Sequence, residues 1–327
     1  MMNPYSVFKN HSETEFNQLC LEVFRYQYEN IEIYNEFANH LRKQPDHIHH
    51  FSEIPFLPIE FFKSHQLIDA KENEELVFKS SGTTGMNRSQ HLLADLKLYE
   101  ESFINGFEQF YGSPKDFVIL ALLPSYLENG DSSLVYMADK LIQLSRQKES
   151  GFYLNNYDEL IQQLHQLKGS SKKVILLGVS YALLDIAEKT KISFPELIIM
   201  ETGGMKGRRK EMIREELHEH LRAGFGVDKI HSEYGMTELL SQAYSKGEGI
   251  FETPPWMKIM IRDVNDPLSW MPEGKSGAVN IIDLANFHSI SFIATQDLGK
   301  KTGKNQFEVL GRFDQSDVRG CNLLIAW

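Results

Sequence analysis

The feature that most constrains this chain is an alternation of two hydrophobic periods. Short apolar runs of strand length occur at Glu75–Ser80, Phe117–Leu123, Lys173–Val179, Leu197–Glu201 and Lys229–His231. Between them lie stretches of helical spacing at Ala94–Phe110, Asp131–Gln147, Tyr157–Gln166, Tyr181–Thr190 and Arg208–Arg222. Parallel strands need a long crossover, so strands that alternate with helices predict an α/β architecture with a largely parallel sheet. From about residue 256 the helical stretches cease, and Met257–Arg262, Gly277–Leu284, Ser289–Thr295 and Phe307–Leu310 read as successive strands with Gly and Asp turns. The expected organisation is an α/β region over 1–255 and a β-rich subdomain over 256–327.

The N-terminal end adds two further expectations. Residues 14–41 carry apolar side chains at spacings of mostly three and four, predicting one amphipathic helix that Pro45 ends. The stretch Ile54–Lys63 has prolines at 55 and 58 and is read as an extended segment packed on the core.

Composition narrows the class. A 42% apolar and 24% charged chain of 327 residues is neither disordered nor collagen-like. A formal charge of −11 argues against nucleic-acid or anionic-membrane partners. Two cysteines, Cys20 and Cys321, make no zinc ribbon or disulfide framework and suit a reducing compartment. The N-terminus lacks the apolar stretch of a secretory signal, and no apolar run is long enough to span a bilayer. The expected location is cytoplasmic.

Five short motifs can carry chemistry. Lys79–Arg88 follows a strand and holds Ser80, Ser81, Gly82, Thr83, Thr84 and Gly85. Its glycines allow close backbone approach, and its N–H and hydroxyl groups can cradle a phosphate, although a plain polar loop has the same composition. His231–Glu238 also follows a strand. Tyr234 offers a face to a base, Thr237 a hydroxyl, and Glu238 a hard oxygen ligand for Mg²⁺; the alternative is a strand end that turns into a helix at Thr237. Glu201–Arg209 contains Gly203 and Gly204, against which a flat ligand can lie, or else it is a loop entering a helix. Gln296–Gly299 and Gly311–Asp314 supply Asp297, able to accept two ribose hydroxyls, and Arg312 as a donor beside it. Asp-X-Gly is equally an ordinary turn. The histidines at 47, 49 and 50 read as a polar loop. There is no Ser-His-Asp set and no Gly-X-Ser-X-Gly elbow.

In their joint order these motifs resemble the adenylate-forming superfamily of acyl- and aryl-CoA synthetases. Ser-Gly-Thr-Thr-Gly looks like its phosphate loop, Tyr-Gly-Met-Thr-Glu its nucleotide and magnesium motif, Asp297 its ribose aspartate, and Gly-Arg-Phe-Asp its hinge. Within the superfamily the chain is most similar to the LuxE-type acyl-protein synthetases, on Pro55–Lys63, Gly203–Arg208 and Ser232–Leu239. The resemblance implies the adenylate-forming N-terminal-domain architecture: parallel-rich sheets flanked by helices, and a C-terminal β-rich subdomain. It implies ATP and Mg²⁺ as cofactors and a carboxylic acid as substrate. The acyl group would pass from acyl-AMP to a thiol near the C-terminus, for which Cys321 is the match; Cys20, on the apolar face of a helix, reads as core.

Two departures stand out. Arg88 replaces a lysine that many relatives place on the phosphates, so the resemblance implies a phosphate-binding role for it, although a planar fork is not a point charge. The chain stops 13 residues after Asp314, so the mobile lid domain of the superfamily is expected to be missing. Two alternatives remain open. One is a phenylacetate-CoA-ligase-like enzyme that uses CoA. The other is a catalytically degenerate nucleotide-binding subunit of an acyl-processing complex. An acyl-CoA or acyl-protein reductase, or an acyl carrier protein, is the expected partner.

Overall fold

The structure, a computed structural model, describes residues 2–80, 88–124, 131–203 and 212–312. In chain order its elements are α1 (Glu13–Asn30), α2 (Glu32–His40), β1 (Leu57–Pro58), α3 (Phe61–Ser64), β2 (Leu76–Lys79), β3 (Gln90–Leu93), α4 (Leu96–Tyr111), β4 (Phe117–Leu122), α5 (Ser133–Ser145) and β5 (Gly151–Tyr153). There follow α6 (Tyr157–Leu167), β6 (Lys173–Val179), α7 (Ser180–Lys189), β7 (Ile198–Thr202), α8 (Arg214–Phe225), β8 (Ile230–Tyr234), β9 (Ala243–Ser245), β10 (Ile250–Glu252), β11 (Met257–Arg262), β12 (Ser276–Asp283), β13 (Phe292–Gly303) and β14 (Gln306–Arg312). They group into two compact units. Of the described residues, one unit takes 2–76, 89–98 and 252–312, the other 77–80, 88 and 99–251.

The second unit holds the parallel sheet. β5, β4, β6, β7 and β8 lie side by side in that order, every pair parallel, and β9 runs antiparallel to β8. All six residues of β4 are buried, as are the last six of β6. A strand covered on both faces needs apolar residues at every position rather than alternate ones, which is why these runs are continuous. α5 packs on β4 and β5, α7 on β6 and β7, and α8 on β8. α7 and α8 approach closely at Gly224, where a Cβ would lie 2.6 Å from the Ala187 Cα. α8 ends at Gly226, which adopts φ 67° and donates its N–H to the Arg222 carbonyl.

α8 starts at Arg214; of the helix expected over Arg208–Arg222, residues 208–211 lie outside the described residues. Ile213 is extended, and Glu215 and Glu216 occupy the first turn. Acidic residues suit the positive end of the helix dipole.

The first unit is built on an antiparallel meander, β11-β12-β13-β14. β1 pairs in parallel with the first half of β13, Leu57 opposite Ile293 and Pro58 opposite Ala294. The extended reading of residues 54–63 therefore holds as far as Ile59. It fails at Phe61–Ser64, which form α3, because proline restrains the residue before it and leaves those after it free. The single helix expected over 14–41 is two. α1 opens with a capping box of Ser12 and Glu15, and the chain breaks at Ile31, whose φ of −118° and ψ of 102° are extended. The Asn35 side chain donates to the Tyr28 carbonyl, and the Ala70 N–H to that of Asn30, so groups freed by the break are bonded again.

Aromatic packing and buried polar groups tie α1 and α2 to the meander. Phe24 packs edge-on against Tyr34 and Phe292, and the buried Gln27 amide donates to the Asn286 and Phe287 carbonyls and the Ser291 hydroxyl. Among the described residues no helix is long and apolar enough to cross a membrane.

Candidate functional site

In the parallel sheet, the chain leaves β4 toward β5 on one side and returns to β6 on the other. Connections diverge at such a point, and in open α/β sheets ligands bind outside the carboxyl ends of the strands that flank it. The motifs at Glu201–Gly203 and His231–Glu238 lie at the carboxyl ends of β7 and β8, on the edge where β6 passes into α7 at Ser180.

Two buried carboxylates sit at the ends of β7 and β8. Thr202 and Glu233 are register partners, and the Thr202 hydroxyl donates to Glu233 Oε2. Glu201 Oε2 accepts from the Ser180 hydroxyl at 3.0 Å, a hydroxyl it shares with the Gly203 carbonyl, and Glu201 Oε1 lies 3.6 Å from His218 Nε2. The first residue of the Gly-Gly pair is thereby tied to the start of α7.

The two acids are pushed apart. Burial drives both upward. At Glu201, His218, Ser232 and Arg214 outweigh it and hold the carboxyl below its ordinary range. At Glu233 burial prevails over the Thr202 hydrogen bond, and the charge of Glu201 adds to it, so its pKa is raised to about 7. Gly235 lies two residues further on. A Cβ there would sit 2.4 Å from Glu233 Oε1, so the position admits only glycine unless the buried carboxylate moves.

Glu233 has a measurable consequence. Its folded-state pKa of about 7 exceeds the ordinary 4.5. The protonated acid is favoured in the folded state, so its contribution to stability is complete below pH 4.5 and is lost as pH rises through 7. A shift of this size corresponds to roughly 3 kcal/mol. Glu233→Gln, which cannot ionise, should have a melting temperature that exceeds the wild-type value by a margin growing between pH 5 and 8. A constant margin across that range would contradict the assignment.

Beyond β8 the chain makes a turn, closed by the Leu239 N–H on the Met236 carbonyl at 3.0 Å. The helix entertained at Thr237 does not form. Glu238 is buried in this turn at 6% exposure, Thr237 is half-buried, and the half-buried Tyr234 ring packs 5.8 Å from Phe251. A buried carboxylate on a tight turn suits a small hard cation.

Ser80 and Arg88 bracket the first motif. The Arg88 Nε–H donates to the Ser80 carbonyl, and a terminal nitrogen lies 3.3 Å from the Lys79 carbonyl and 3.2 Å from Asp131 Oδ1. Asp131 Oδ2 is 3.7 Å from Lys79 Nζ.

Asp297 belongs to the first unit. It lies inside β13 rather than at the strand end or turn its Asp-X-Gly context suggests, because the strand runs on to Gly303. Gly299 permits this: a Cβ there would meet the Glu308 carbonyl of β14 at 2.7 Å. Asp297 pairs with Arg312 of β14, and Arg312 Nε stands 3.3 Å from Asp297 Oδ1. The carboxylate is 7% exposed, whereas the Arg312 side chain is mostly exposed. Ser81, Gly82, Thr83, Thr84, Gly85, Gly204, Asp314 and Cys321 lie outside the described residues.

The model of the acyl-protein synthetase LuxE family matches residues 2–326. No curated protein sequence matches the chain. Among solved structures, 2-hydroxyisobutyryl-CoA ligase in complex with 2-HIB-AMP and CoA aligns with a TM-score of 0.70 at 14% identity, over 93% of this chain and 68% of that one. ATP-bound MatB from Rhodopseudomonas palustris aligns with a TM-score of 0.55 at 17% identity, over 76% of this chain and 49% of that one. At such identities the likeness is one of fold, and this chain spans about half the length of MatB.

Proposed function

The chain belongs to the LuxE acyl-protein synthetase family, and from that membership we propose that it activates a carboxylic acid with ATP and passes the acyl group to a protein thiol. Supporting this reading is the run Tyr234–Glu238 at the carboxyl end of a parallel strand, with Glu238 buried in a tight turn. The acid needs no general base, since carboxyl groups with pKa near ~4 are ionised at neutral pH. One carboxylate oxygen attacks the α-phosphorus of ATP, the bond to pyrophosphate breaks, and acyl-AMP results. A thiolate then attacks the acyl carbon and AMP leaves.

The difficulty is bringing one anion onto another, so the protein must supply positive charge and N–H donors where charge builds. Ser80–Gly85 take the phosphates, Gly203, Gly204, Tyr234 and Gly235 the base, Thr237 a phosphate oxygen, and Asp297 with Arg312 the ribose; the phosphate contact expected of Arg88 from the sequence is revised below. Glu238 would hold Mg²⁺, which when bound neutralises phosphate charge as a Lewis acid. Cys321 is the acyl acceptor. A second reading, in which CoA is the acceptor, draws on the CoA bound by the 2-hydroxyisobutyryl-CoA ligase.

The ribose assignment can be measured directly. Removing a carboxylate that accepts ligand hydrogen bonds costs ~1.5–3 kcal/mol. Asp297→Ala should weaken ATP binding roughly ten- to a hundredfold by titration calorimetry, while its melting temperature stays near the wild-type value. Its partner Arg312 is exposed, so loss of that ion pair costs the fold little. Wild-type affinity in the variant would refute the assignment.

A further inference from the structure

We infer that Arg88 is a positioning residue, which with Asp131 clasps the neck of the 80–88 stretch, and that Lys79 is the cation left there to face a phosphate. The inference deepens the adenylation reading proposed above and rests on it.

The two ends of the stretch and a residue 43 positions beyond Arg88 meet at this neck. The Arg88 guanidinium bonds the Ser80 carbonyl through Nε, and a terminal nitrogen reaches the Lys79 carbonyl at 3.3 Å and Asp131 Oδ1 at 3.2 Å. Asp131 is itself tied to the strand end, because its carbonyl accepts the Lys79 N–H at 2.8 Å. Residues 79, 80 and 88 are thus held together at the two ends of the 81–87 span, with Asp131 as the common anchor. The arrangement requires a fork. A lysine is a single-point donor and cannot serve Nε and terminal positions at once, so the departure from lysine at this position has a structural reason.

Charge is divided unequally. Two cations share one carboxylate. Arg88 has the shorter contact with Asp131 and is only 26% exposed; Lys79 stands 3.7 Å away with its side chain 39% exposed. Among the described residues one positive charge is left over, and the more exposed partner carries it. A phosphate that approached the neck would meet Lys79 at less cost than Arg88, whose hydrogen bonds to protein would have to break first.

The test uses the full chain and its affinity for Mg²⁺·ATP by titration calorimetry, together with hydrogen exchange of the peptide spanning residues 77–90 without nucleotide. If Arg88 is a clasp, Arg88→Lys should weaken ATP binding about as much as Arg88→Gln, on the order of tenfold. Asp131→Asn should weaken it too, and all three variants should exchange faster in that peptide while melting within a few degrees of the wild type. If Arg88 were a phosphate ligand, Arg88→Lys would keep most of the affinity, and Asp131→Asn would tighten binding by releasing the guanidinium. Either result overturns the clasp. Lys79→Gln should weaken binding without speeding exchange; unchanged affinity in that variant would remove Lys79 from the proposal. A wild-type protein that binds no nucleotide would refute the adenylation reading, and unchanged exchange in Arg88→Lys and Asp131→Asn would separately refute the clasp.

Discussion

Glu238→Gln lowers acid-dependent adenylation at least tenfold, equivalent to about 1.4 kcal/mol of barrier. Glutamine has the shape of glutamate, and the side chain is buried at 6% exposure in a turn closed by Leu239 and Met236, so packing there is kept. What changes is one negative charge on a hard oxygen. That charge is what a small divalent cation needs from the protein, because Mg²⁺ keeps most of its other positions for water and phosphate oxygens. The loss should fall on the rate of pyrophosphate exchange, and raising Mg²⁺ should recover part of it. An unchanged exchange rate in the variant would remove Glu238 from the metal role.

The second large effect concerns the acyl acceptor. After incubation with ATP, Mg²⁺ and a labelled fatty acid, the peptide containing Cys321 should carry the label, hydroxylamine at neutral pH should release it, and Cys321→Ser should abolish that hydroxylamine-labile adduct. The chain has only two cysteines, and Cys20 is a poor competitor. It is fully buried on α1, and burial pushes its thiol well above the ordinary value, so almost no nucleophilic thiolate forms there. In sequence Cys321 follows Arg319 and Gly320, and a neighbouring cation would favour the thiolate. Glu238→Gln should suppress the same label, because the thioester can form only after adenylation. Robust formation of free acyl-CoA by Cys321→Ala would instead establish CoA as the acceptor.

What the sequence carried, and what it did not, follows from the range of the forces involved. β4, β6 and β11 were legible because a strand covered on both faces, or alternating on one, writes its burial directly into the chain. The family was legible because its motifs recur in a fixed order, Ser81–Gly85 before Gly203–Arg208 before Ser232–Leu239. The break at Ile31 was not, since the apolar spacing continues through it and the bonds that relieve it come from Asn35 and Ala70. β13 outruns its apolar core because pairing with β14 carries it through Gln296–Gly299, which reads locally as a turn. Asp131 gives no local signal at all: it is an acidic residue near a helix start, and only the fold brings it to Arg88, 43 positions away. Glu233 lies within a quoted motif, yet its raised pKa comes from burial beside Glu201 on the neighbouring strand, which no single stretch reveals.

Formation of acyl-AMP by this chain is the step on which every other proposed role depends. Pyrophosphate exchange into ATP, driven by carboxylic acids, reports that step alone, before any thiol is involved. Across a panel of fatty acids of increasing chain length and of aryl acids, at least one acid should drive Mg²⁺-dependent exchange well above the acid-free rate, and Glu238→Gln should suppress it. A folded protein that binds ATP but shows no exchange with any acid would contradict the account and favour a nucleotide-binding subunit without catalysis of its own.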